Sequence, residues 1–198
     1  MITPDDEPDR VAALAAAALR GGADVLQLRQ KLLPRGDLLI LARQLRALAS
    51  TSGALFIVND HLDLAILSDA DGVHLGLEDL SVAAARRVAG DRLLVGASAS
   101  TPSTAIAALE AGADYIGCGP AFATPLKPQK KVIGPAGVAQ VADAVGTGVP
   151  VFAIGGIDAS NIAQLTAAGV RRACVVRAVG DAPDPEAAAR RLHAMLEE

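Results

Sequence analysis

Seven short apolar runs recur along this chain, each near a Gly or Pro and each separated from the next by an Ala- and Leu-rich stretch. They are ADVLQLRQ (23–30), ALFIVND (54–60), GVHLG (72–76), LLVGAS (93–98), DYIGCGP (114–120), VPVFAIGG (149–156) and ACVVRAV (173–179). Runs of that length and polarity read as parallel strands buried on both faces. The stretches between them, such as 37–50 and 161–172, carry charge on one face and read as helices. Alternating strands and helices with short loops give an α/β fold on a parallel sheet. Three helix–Gly–strand junctions (LRGGADVLQL, LEAGADYIGC, LTAAGVRRACVV) repeat, and the glycine is expected to end each helix in a left-handed conformation.

MIT at the N-terminus reads as the stub of an eighth strand. Eight units in 198 residues fit one compact (β/α)8 TIM barrel over 1–198, with a very short first strand that a trimmed start would explain. An open doubly wound sheet is disfavoured. No GxGxxG follows the first strand and no P-loop signature occurs. Polar residues also end strands around the whole chain, whereas an open sheet gathers them at one switch point.

Hydrophobic residues make up 52% of the chain and aromatics only 2%, so the core must be aliphatic. A net charge of −4 argues against a nucleic-acid footprint, which would need a basic face. Charge or Gly interrupts every apolar run, so no membrane span is expected. The acidic start MITPDDEPDR lacks the basic and apolar regions of a signal peptide. Cys118 and Cys174 fall inside strand candidates, as small reduced hydrophobes would. Together these features lead us to expect a cytoplasmic protein. The oligomeric state is not set by the sequence, and a homo-oligomer is left open.

Polar groups at the C-terminal ends of successive barrel strands build an active site. In QLRQK, strand alternation would turn Gln27, Arg29 and Lys31 one way; buried cations there need a charge partner, while an edge strand would leave them solvated. Asn59 and Asp60 end the next apolar run, where Asp60 could equally cap the following helix. His74 sits within a run and reads as a core histidine. Asp79 lies in the loop beyond it, as a site carboxylate or a turn residue. Ser98 ends a strand. The loop carrying Thr124 and Lys127 is stiffened by Pro125 and Pro128, which presents Lys127 at little entropic cost, with a solvated surface Lys as the alternative. Gly155 and Gly156 end the next run, and VVRAVG the last. The loops after the last two barrel strands are a common phosphate site, with helices expected to begin near Asp158 and after Gly180. Cations and carboxylates so distributed suit a magnesium-pyrophosphate substrate.

QLR-x-K, ND, GVHLG-x-x-D, G-x-S, GCGP followed by TP-x-K, and AIGGI appear in that order. In this the chain resembles the thiamine-phosphate synthase family over nearly its full length. The resemblance implies coupling of hydroxymethylpyrimidine diphosphate to hydroxyethylthiazole phosphate, with release of pyrophosphate. It gives Arg29, Lys31, Asn59 and Lys127 to the pyrophosphate, and Asp60 and Asp79 to a bridging Mg²⁺. It gives Gln27 and Ser98 to the pyrimidine. Thr124, Gly156 and the backbone of Val176 and Arg177 go to the thiazole phosphate. Small-molecule substrates are then the expected partners.

Three residues depart from the family pattern: Leu77 for a usual Gln, Leu126 for a usual Thr, and Arg177 for a small residue. A related thiazole tautomerase shares the barrel but needs a catalytic His where this chain reads SASTPS. A non-catalytic homologue binding thiamine-pathway phosphates is the other alternative. Leu126 and Arg177 favour it, and the retained Asp60, Asp79, Lys31 and Lys127 count against it.

Overall fold

All seven expected strands form, and they pair in parallel in their order along the chain. The computed structural model describes residues 1–125, 129 and 131–197. The strands are β1 (Val25–Leu28), β2 (Leu55–Asn59), β3 (Gly72–Leu75), β4 (Leu94–Ala99), β5 (Tyr115–Cys118), β6 (Val151–Ile154) and β7 (Ala173–Cys174). Before and between them run α1 (Pro8–Arg20), α2 (Arg35–Ser52), α3 (Leu62–Leu67), α4 (Val82–Ala89), α5 (Pro102–Glu110), α6 (Gly134–Val145) and α7 (Ile162–Ala167). The short α8 (Arg177–Gly180) and the final α9 (Pro185–Glu197) follow β7.

Residues 1–3 supply the missing eighth strand. Ile2 pairs in parallel with Gln27 of β1. Its N–H donates to Val175 O, just past β7, at 2.9 Å. Thr3 N–H donates to Gln27 O at 2.9 Å, and Gln27 N–H to Met1 O at 2.8 Å. Three residues therefore join both edges and close the sheet on itself, which satisfies backbone groups an open edge would expose.

Leu26 and Leu28 of β1 are buried, as are Leu38, Leu41, Ala42, Leu45 and Ala49 of α2, whose 3–4-residue spacing makes one apolar helix face. Inside the ring, small and large residues alternate. A Cβ on Gly96 would lie 2.0 Å from Tyr115 Cζ, and one on Gly117 would lie 2.9 Å from His74 Cε1. Those glycines give room to the chain's single Tyr and to an interior His. At the N-terminal end of the strands a cavity of about 270 Å³ remains, lined in part by Val25, Ile57, Leu94 and Phe152.

Gly22, Gly112 and Gly169 take φ of 92°, 102° and 81°, so the repeated helix–Gly–strand junctions turn as expected. Two expectations need correction. The run 173–179 is strand only over its first two residues, and the short α8 intervenes at Arg177 before the expected helix after Gly180, which forms as α9. The run 23–30 ends as a strand at Leu28, which moves Arg29 and Lys31 into a loop. Among the described residues, no helix is long and apolar enough to cross a membrane.

Candidate active site

Apart from Gln27, every described site candidate lies at or just after the C-terminal end of a strand, at one end of the barrel. β1 leads to Gln27, which is buried and faces the interior cavity, then to half-buried Arg29 and exposed Lys31. The charge partners that these cations need are present. Arg29 Nη1 is 2.8 Å from Asp5 Oδ2, and Lys31 Nζ is 3.8 Å from Asp60 Oδ2.

Asp60 follows β2 with φ +66°, a left-handed conformation uncommon for a residue with a side chain. It does not cap α3: His61 takes the cap position, without a side-chain cap bond. Nor does Asp79 cap α4, because Ser81 does so by accepting from Ala84 N–H. Asp79 Oδ2 instead accepts the Gly76 N–H at 2.8 Å, folding the loop after β3 back on itself. Its carboxylate reaches that of Asp60. Burial and the adjoining Asp79 push the Asp60 carboxyl up to about 6, while Lys31 and Arg29 pull the other way. Two carboxylates facing each other with cations alongside have the chemistry to share a proton or to receive a cation.

A cleft of about 480 Å³ opens from this pair between α3 and α4, lined by His61, Asp63, Ile66, Leu80 and Val88 among others. Arg35 holds its wall, with Nη1 2.9 Å from His61 Nδ1 and an ion pair to Asp63. Burial and the Arg35 cation keep the His61 imidazolium below its usual range. Leu77, in the same loop as Asp79, is exposed.

Ser98, in β4, has its Oγ 3.0 Å from His74 Nε2, and the same ring places Nδ1 3.3 Å from Tyr115 Oη. His74 is the satisfied core histidine expected, and it also fixes a candidate substrate residue. Asn59 ends β2 half-buried. Thr124 is half-buried in the loop after β5, whereas Lys127 and Leu126 lie outside the described residues.

The loops after β5 and β6 are tied together. Ala121 N–H donates to Ile154 O at 2.8 Å and Phe122 N–H to Gly155 O at 2.9 Å. Gly155 and Gly156 have φ of 99° and 64°, and Cβ atoms there would lie 2.6 Å from Pro120 Cβ and 2.4 Å from Ala123 O. Only glycine fits both the conformation and the close approach. Among the described residues, the N–H groups of Gly156, Val176 and Arg177 find no acceptor. Arg177 opens α8 with its side chain exposed.

Sequence reasoning missed Thr3, Asp5 and Gln30. Thr3 Oγ1 both donates to Arg29 O and accepts from Arg29 N–H, and buried Gln30 donates to Asp6 O. The available signal was a pair of polar side chains, Thr3 and Asp5, at the end of the N-terminal stub.

Residues 1–179 match the family model described as thiamine monophosphate synthase. The chain belongs to that family. A thiamine-phosphate synthase of Thermus thermophilus is 47% identical over 179 residues, covering 90% of this chain and 85% of the relative. One from Thermosynechococcus vestitus is 45% identical over 184 residues, covering 93% of this chain. The chain spans only 52% of that second relative's length. Among solved structures, the thiamine phosphate pyrophosphorylase of Pyrococcus furiosus superposes with a TM-score of 0.89 at 35% identity, covering 99% of this chain and 93% of its own. A 3-hexulose-6-phosphate synthase superposes at 0.76 with 19% identity, a likeness of fold alone.

Proposed function

We propose that this chain is a thiamine-phosphate synthase, a transferase acting as one barrel domain over 1–198 in the cytoplasm. It joins hydroxymethylpyrimidine diphosphate to hydroxyethylthiazole phosphate and releases pyrophosphate. The observation that carries the reading is the Asp60–Asp79 pair flanked by Lys31 and Arg29 at the catalytic end of the barrel.

Magnesium fits that pair. Two hard carboxylate oxygens suit it, and it commonly takes only one or two carboxylates, completing its shell with water and phosphate. When bound, the ion would offset charge developing on the departing pyrophosphate.

The chain's own groups supply the rest. Arg29, Lys31 and Asn59 hold the diphosphate, and Lys127 is assigned to the same group. Breaking the methylene–oxygen bond leaves a pyrimidine cation that its electron-rich amino ring stabilises, so no strong base or nucleophile is required. Cations fixed in advance stabilise the leaving charge. Ser98, held by His74, and Gln27 contact the pyrimidine ring. The open N–H groups of Gly156, Val176 and Arg177, with Thr124, receive the thiazole phosphate and place its ring nitrogen for attack.

The test is to incubate both substrates with Mg²⁺ and the protein, and to measure thiamine phosphate and pyrophosphate together. Equal amounts of the two products are expected. Release of pyrophosphate without thiamine phosphate would instead indicate a hydrolase.

A further inference from the structure

We propose that Asp5 is a positioning residue that aims Arg29 at the diphosphate. The inference rests on the site reading above and names a group no motif assigns.

The two oxygens of Asp5 do different work. Oδ1 accepts the Lys31 N–H at 2.6 Å, while Oδ2 binds Arg29 Nη1 at 2.8 Å. One carboxylate therefore spans both cationic residues of the loop, gripping the backbone of one and the side chain of the other. Two residues earlier, Thr3 holds the Arg29 backbone from both sides, accepting its N–H at 2.9 Å and donating to its carbonyl at 3.1 Å. Thr3 and Asp5 therefore both bond the loop after β1. Buried Gln30 adds a third tie by donating to Asp6 O at 2.8 Å and accepting from Leu32 N–H at 3.0 Å.

A guanidinium carries five donors in a rigid plane. With Nη1 committed to Asp5, the remaining edge is oriented in advance. The loop that carries Arg29 lies beside the carboxylate pair, since Lys31 two residues on has its Nζ 3.8 Å from Asp60 Oδ2. A preset fork loses less freedom on binding a phosphate than a free side chain does. Asp5 acts through Arg29 and touches no substrate.

The experiment is a double-mutant cycle on Asp5→Asn and Arg29→Ala, reading the Kd for inorganic pyrophosphate with Mg²⁺ by calorimetry alongside the two KM values. Asn can still accept the Lys31 N–H, so the loop is kept and only the charge on Arg29 is lost. Asp5→Asn should weaken pyrophosphate binding and raise the KM for the pyrimidine diphosphate by roughly tenfold. The KM for thiazole phosphate and the Tm should stay near wild type. In the Arg29→Ala background the same substitution should have no further effect. Unchanged pyrophosphate affinity in Asp5→Asn, or an equal loss with and without Arg29, would overturn the positioning role. Wild-type protein that binds no pyrophosphate would overturn the site reading, and the inference with it. Wild-type protein that binds pyrophosphate but makes no thiamine phosphate would overturn only the proposed reaction.

Discussion

The carboxylate of Asp60 faces that of Asp79 within hydrogen-bonding reach, although each leaves a different strand and neither caps the helix that follows it. Such a pair costs stability when both members are ionised and becomes useful when a cation joins it.

Asp60→Asn tests that cost. The Asp60 carboxyl is pushed up to about 6 by burial and Asp79, from roughly 3.9 in an unfolded chain. The folded state thus holds its proton more tightly, and in metal-free protein the ionised group opposes folding above pH 6. That penalty fades as the pH falls toward 4. Asn tolerates the left-handed backbone at φ +66°. At pH 8 without metal, Asp60→Asn should gain on the order of 1 kcal/mol, about 2–4 °C in Tm, a figure already discounted for solvent screening. The gain should vanish near pH 4, while magnesium-dependent turnover is lost at every pH. Thermal melts across pH read the first effect and a coupling assay the second.

Gly96→Ala should be severe. Its Cβ would fall 2.0 Å from Tyr115 Cζ inside the barrel, so the ring must leave its contacts with His74 and Phe152. A loss of roughly 3 kcal/mol or more is expected on denaturant unfolding, beyond ordinary overpacking.

Arg86→Ala should lower stability and spare catalysis. The guanidinium pairs with Asp114 and donates to the carbonyls of Gly112, Gly90 and Leu93, tying α4 to the N-terminal ends of β4 and β5. Removing the guanidinium leaves Asp114 with only the Val95 N–H among the described residues and strips the three carbonyls of this donor, which should cost about 2–4 kcal/mol. Since those groups lie at the opposite end of the strands from the site, both KM values should stay near wild type.

The strands were legible because parallel strands buried on both faces leave unbroken apolar runs bounded by Gly. The last run misled, because VVRAV is apolar in either conformation and too short for periodicity to separate strand from helix. At Asp60 and Asp79 the sequence allowed a capping role as readily as a site. Only the left-handed backbone of one and the Gly76 bond of the other distinguish the two. Asp5 stayed hidden because its partners are 24 and 26 residues away, a separation that no local pattern records. His74 was read as a core residue, and it is one, but its bond to Ser98 could be found only in three dimensions.

The most direct measurement is thiamine phosphate formation, read as fluorescent thiochrome, in wild type and Arg29→Ala across a magnesium titration. Wild type should form product only with Mg²⁺, and Arg29→Ala should be slower by about a hundred- to a thousand-fold. Product formed without magnesium, or at a near-normal rate by Arg29→Ala, would contradict the site described at Asp60, Asp79 and Arg29.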